Sequence, residues 1–120
     1  MSFMLIINEP RGQREGRTRA EGEALYQRMV DFGATLKARG VLLGVESLAS
    51  DTGAARVSVR SGRRSIVDGP FAEAKEMIGG FLLVDVGTRE DALAIAAECP
   101  AAEWASVEVR AVAPCYDGSA

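Results

Sequence analysis

The chain is predicted to fold as one α+β domain over residues 1–120, and three features of the sequence predict it. Two runs, Phe3 to Ile7 and Ile78 to Val86, are almost wholly apolar, as strands covered on both faces are. Two stretches, one opening at Thr18 and one at Thr88, start on helix caps and continue with apolar residues at helical spacing. Between them lie short alternating segments broken by Gly and Pro, the punctuation of a β-hairpin.

Phe3 to Ile7 is expected to be a central strand. Glu9 to Arg17 then reads as a polar loop containing Pro10, Gly12, Gly16 and several arginines: a solvated connection or a mobile flap over a pocket. Thr18-Arg19-Ala20-Glu21 is a capping box, and Leu25, Met29, Phe32 and Leu36 follow as one apolar stripe of core positions ending at Gly40. Val41 to Leu48 resumes strand character, with Val41, Leu43 and Val45 on one face and Leu42, Gly44 and Glu46 on the other. Arg56 to Arg60 alternates cleanly, and Ser61-Gly62-Arg63 turns the chain into Arg64 to Val67, a hairpin with one wet face. Asp68-Gly69-Pro70-Phe71 breaks the strand, Ala72 to Met77 crosses the surface, and Ile78 to Val86 forms the second doubly apolar strand. Its Gly79-Gly80 pair marks a bulge or a close approach by another backbone or a ligand. The second helix runs from the Thr88 cap to Cys99-Pro100 with Leu93, Ala96 and Ala97 inward. Ser106 to Val112 closes the domain as an alternating strand, and Pro114 to Ala120 reads as a tail.

The resulting order, β-α-β-β-β-β-α-β, is a ferredoxin-like pattern with a hairpin inserted between its halves. Right-handed crossovers put both helices on one face of such a sheet, leaving the other face bare. Exposed, the apolar side chains of both central strands would present roughly several hundred Å² to water, more than a monomer commonly tolerates. A face-to-face homodimer is therefore expected, anchored among Met4, Ile6, Leu82 and Val84 or their alternates.

Composition removes several function classes. The 14 Lys and Arg against 17 Asp and Glu give a formal charge of −3, so no overall positive field draws nucleic acid. The N-terminal apolar run is too short for a membrane span or a secretory signal, and a cytoplasmic protein is expected. Cys99 and Cys115 match no metal-ligand spacing and are expected to be reduced thiols; no metal and no cofactor is implied. The chain has no histidine, so proton transfer would fall to carboxylate, lysine, tyrosine or thiol.

Val67-Asp68-Gly69-Pro70-Phe71-Ala72-Glu73-Ala74-Lys75-Glu76, followed by Ile78-Gly79-Gly80-Phe81, resembles the signature of the DGPF-type, YCII-related family. The similarity extends through Gly53 to Val57, Gly62-Arg63-Arg64, Cys99-Pro100 and Val107 to Arg110. The resemblance implies a dimeric α/β barrel and a small-molecule cleft near the DGPF loop, placing Asp68, Pro70, Phe71, Glu73 and Lys75 beside a ligand. The His–Asp chemistry that the resemblance also suggests is closed to a chain without histidine, and Ala74 stands where that family usually carries Thr.

Two readings of the site residues follow. Asp68 either accepts amides of its own turn or acts as a cleft carboxylate; Glu73 and Lys75 form either a surface ion pair or a substrate-facing pair. Glu46, placed beside Leu42 and Gly44, is either paired with an arginine such as Arg110 or a desolvated proton shuttle. Phe71 reads as a core plug and Cys99 as a buried small hydrophobe. Trp104 and the arginines of Arg60 to Arg64 read as exposed loop and solvated hairpin, or as a binding rim. Two functions compete: a non-catalytic or regulatory dimer that binds a small molecule, and a histidine-independent isomerase, lyase or hydrolase using Asp68, Glu46 and Lys75.

Overall fold

In a computed structural model that describes residues 1–116, β1 (Ser2–Pro10) and β5 (Glu76–Asp85) lie side by side at the centre of a four-stranded antiparallel sheet. β2 (Leu42–Ser47) flanks β5 and β6 (Ser106–Ala111) flanks β1, giving the order β2-β5-β1-β6. With α1 (Arg19–Ala38) after β1 and α2 (Arg89–Glu98) after β5, this is the expected ferredoxin-like arrangement. The inserted hairpin, β3 (Ala55–Arg60) and β4 (Arg63–Asp68), forms its own two-stranded sheet, and its strands contact chiefly each other. Ser61 and Gly62 turn it with φ of 51° and 75°, the pair of left-handed conformations that matches strand twist. The expected tail falls partly on residues 117–120, outside the described residues.

Pairing register assigns the two faces of the sheet. Phe3 faces Val84 and Leu5 faces Leu82, and all four are buried with Phe32, Leu36, Ala92 and Ile95 from the helices. Met4 opposite Leu83 and Ile6 opposite Phe81 therefore occupy the other face, which no helix or strand among the described residues covers. Leu82 and Val84 thus belong to the helix side, and their alternates Phe81 and Leu83 share the open face with Met4 and Ile6. The molecule measures 46 × 43 × 20 Å, a thickness suited to one sheet and one helix layer.

Three local expectations are corrected by tertiary contacts. β1 runs on through Asn8, Glu9 and Pro10 because β5 begins at Glu76 and pairs with them, overriding their poor strand propensity. A bulge between Leu42 and Gly44 rephases β2, so Leu42 pairs with Val84 on the helix side while Glu46 pairs with Phe81 on the open face. In α2 the inward set is Ala92, Ile95, Ala96 and the following Cys99, at helical spacing; Leu93 and Ala97, expected inward, are exposed.

The caps are as expected. The Thr18 hydroxyl accepts the Glu21 amide and the Glu21 carboxylate accepts the Thr18 amide, while Thr88 accepts the Asp91 amide at the start of α2. Gly40, at φ 76°, follows α1 in the left-handed conformation that ends a helix. The helix does not lie evenly on the sheet: Phe32, Gly33 and Leu36 toward its C-terminal end are buried, whereas Leu25 and Met29 before them are only half-buried. Space is left beneath Leu25 and Met29.

Candidate functional site

That space is a cavity of about 670 Å³ between α1 and the helix-facing side of the sheet. Its volume is within the range of small-molecule sites, and its walls are largely apolar: Leu25 and Met29 from α1, Val45 and Leu82 from the sheet, and Trp104 from the connection after α2. Leu25 and Met29, expected as core positions, are therefore cavity walls. Gly22 stands over the cavity with no atom within 4 Å of where a side chain would begin.

Glu9 supplies the polar floor. Alternation along β1 places it on the same side as Phe3, Leu5 and Ile7, and only 6 % of it is exposed. A carboxylate there needs a partner, and Arg14 provides one: Nη2 donates to Glu9 Oε1 at 2.5 Å and Nε to Oε2 at 3.0 Å. Arg14 Nη2 also donates to the Leu48 carbonyl at 2.9 Å, tying the pair to the end of β2. The bulge that omits Gly79 from pairing makes room for this contact, because a Cβ on Gly79 would overlap the Glu9 carboxylate. Gly80 is equally constrained, since a Cβ there would overlap the Glu46 carbonyl.

Residues 11–17 form a strap along one side of the cavity, fastened at several points. Arg11 donates from Nη1 and Nη2 to both oxygens of Asp51, at 2.9 and 2.7 Å, and from Nε to the Ala74 carbonyl at 2.8 Å. Gln13 Nε2 donates to the Trp104 carbonyl at 2.6 Å. Arg17 lies with Cζ 5.9 Å from the centre of the Trp104 ring, and Arg28 reaches the same ring from α1 at 5.6 Å. The segment expected as a solvated loop or mobile flap is an anchored wall.

The DGPF loop stands outside this cavity. Asp51 does what was expected of Asp68, accepting the Phe71 amide at 3.3 Å, while Asp68 ends β4 exposed opposite Ala55. Hydrogen bonds from Arg11, then that amide, hold the Asp51 carboxyl below the usual carboxylate range. Glu73 pairs with Arg56 at 3.1 Å rather than with Lys75, and its own backbone amide followed by Arg56 lowers its pKa. Arg56 covers the Phe71 ring at 3.7 Å, so Phe71 is a half-buried stacking partner instead of a core plug. Pro70 follows a cis peptide bond and is exposed, as is Lys75. Glu46 borders the cavity at the β2 edge but directs its side chain to the open face; Arg110 is on β6 at the opposite edge of the sheet, beside Glu108.

The structure therefore does not gather Asp68, Glu46 and Lys75 into one site. It gathers Glu9, Arg14, Arg17 and Trp104: the sequence marks Trp104 as a possible rim and Glu9 to Arg17 as a possible flap, without marking Glu9, Arg14 or Arg17 individually. The signal for Glu9 is its period-two spacing from Phe3, Leu5 and Ile7, masked by the polar, proline-containing stretch that begins with it. Cys99 is buried, with Sγ 3.9 Å from Met29 Sδ, and desolvation pushes its thiol up, as befits an unreactive packing group. Among the described residues no three His, Cys, Asp or Glu side chains gather as a metal would require, and no helix is long and apolar enough to cross a membrane.

Residues 1–115 match the YCII-related domain. The chain belongs to the YCII-related family. It is also similar to an uncharacterised protein of Rhizobium meliloti (strain 1021), with 38% identity over 76 residues. That match covers 62% of this chain and 61% of the relative, so it spans less than two thirds of the relative's length.

Proposed function

We propose that this YCII-related protein is a homodimeric binding domain, non-catalytic or regulatory, whose small-molecule ligand occupies the cavity beneath α1. The observation that carries the reading is the cavity itself: about 670 Å³, apolar-walled, with a fully hydrogen-bonded Glu9–Arg14 pair at its floor. The DGPF residues serve it from behind. Asp68, Pro70, Phe71, Glu73 and Lys75 form or flank the turn to which Asp51 and Arg11 fasten the strap, so they shape the wall without lining it. The reading as a histidine-independent enzyme has less support, because its candidates Asp68 and Lys75 are exposed and do not line the cavity.

Dimerisation is supported by two uncovered apolar surfaces. The open sheet face has Met4, Ile6, Phe81 and Leu83 at its centre, with Asn8, Glu108 and Arg110 toward the β6 edge, the apolar-centre and polar-rim pattern of protein interfaces. The hairpin adds Val57 and Ile66, paired across its strands and 63% and 54% exposed. Two free thiols, Cys99 and Cys115, fit the reducing conditions of cytoplasm.

The test uses N-phenyl-1-naphthylamine, an uncharged probe that fluoresces in apolar surroundings. Saturable binding to the wild-type chain, abolished by Gly22→Phe with the fold intact by circular dichroism, is the expected result. Equal binding by both proteins would remove the cavity as the site.

A further inference from the structure

The cavity lining holds a guanidinium whose hydrogen-bond donors are unmatched. Its floor is neutral as a unit, because Glu9 is matched by Arg14 through three hydrogen bonds. Arg19 is matched on the outside by Glu23 at 2.8 Å. Arg17 lines the cavity, half-buried, and among the described residues no carboxylate forms an ion pair with it and no acceptor takes a hydrogen bond from its side chain. Glu21, one turn along, attracts Arg17 through space, but its hydrogen bond goes to the Thr18 amide of the capping box, so it leaves the Arg17 donors unfilled. Glu46, the other carboxylate at the margin, is turned to the opposite face of the sheet.

A guanidinium is a permanent charge with five donors in a planar fork matched to a carboxylate. Filling the cavity with a neutral molecule would strip water from Arg17 and return nothing to it, and filling it with a cation would add repulsion. A ligand with one acid group reverses both costs. Trp104 beside Arg17 gives the rest of the ligand an apolar surface at that end, continuous with Met29, Leu25 and Val45. Lys37 also lines the cavity, but it lies 18 residues beyond Arg19 along α1, about 27 Å at helical rise, so it cannot share the same headgroup.

We propose that the ligand is an amphiphilic monoanion: an aliphatic or aromatic body against Leu25, Met29 and Val45, with a carboxylate paired to Arg17 beside Trp104. This inference rests on the cavity being the ligand site, and it adds the ligand's charge and orientation.

The test is displacement of N-phenyl-1-naphthylamine by three probes of equal length, octanoate, octanol and octylamine, with Trp104, the chain's one tryptophan, as an intrinsic reporter. Octanoate is expected to bind about tenfold more tightly than octanol, the effect of one charge-assisted pair, and octylamine most weakly. Added salt should weaken octanoate and leave octanol unchanged, a result that needs no variant. Arg17→Gln should bring octanoate to parity with octanol, while Arg19→Gln, which removes a cation already paired outside, should preserve the preference. Octanol or octylamine matching octanoate in the wild-type chain would overturn the inference and leave the cavity reading standing. Failure of all three probes, with naphthylamine binding unaffected by Gly22→Phe, would overturn both.

Discussion

At the scale of single residues, two Arg–carboxylate pairs have different jobs. Glu9 is buried on the helix side of the sheet, and Arg14 both neutralises it and fastens the strap. Arg14→Ala should therefore destabilise the chain by about 3 kcal/mol, because an unpaired buried carboxylate costs far more than a lost surface contact. Adding Glu9→Leu to that variant should restore most of the loss, which urea unfolding midpoints would measure. Asp51 gives a pH signature. Its folded-state value is depressed by Arg11, so its contribution is fully present above the unfolded value of about 3.9 and is lost as pH falls through the lower folded value. Asp51→Asn should melt below wild type near neutrality, and the two melting curves should converge in strong acid.

At the scale of elements, α1 decides where the cavity is. Phe32 and Leu36 pack it onto the sheet, while its N-terminal cap fixes the turns that carry Leu25 and Met29 over open space. Thr18→Ala removes the hydroxyl that accepts the Glu21 amide and should cost about 1 kcal/mol, with the added mark of weaker naphthylamine binding as the first turn loosens. A cap with no role at the cavity would lose the stability and keep the binding. The hairpin teaches a second lesson about elements. Its alternation and its Ser61-Gly62 turn were legible because both are local, but its expectation of one wet and one dry face fails within a single chain, where Val57, Val59 and Ile66 are all exposed.

At the scale of the molecule, one sheet face lies under two helices and the other has no helix over it among the described residues. If two copies close over that face, Leu83→Asp should place an unpaired carboxylate at the seam and yield a particle with the mass of one chain, its secondary structure unchanged. Sedimentation measures this directly. A wild-type chain that already sediments as a monomer at micromolar concentration would end the dimer proposal. A dimer unmoved by Leu83→Asp would place its interface elsewhere, with the hairpin as the next surface to test.

The sequence by itself determined the order of strands and helices, both N-terminal caps, the hairpin turn, the apolar character of both faces of the central strands, and membership of the YCII-related family. All of these are written in periods of two to four residues or in contiguous strings, and such information survives without three-dimensional context. Only the tertiary structure decided that Glu9 lies inside and meets Arg14, that Asp51 rather than Asp68 fastens the DGPF turn, and that a cavity opens under Leu25 and Met29. Those outcomes depend on a one-residue bulge at Gly79 and on the angle at which a helix meets a sheet. A single step of register exchanges the faces of every later residue, and a gap is a property of two surfaces that no stretch of chain encodes alone.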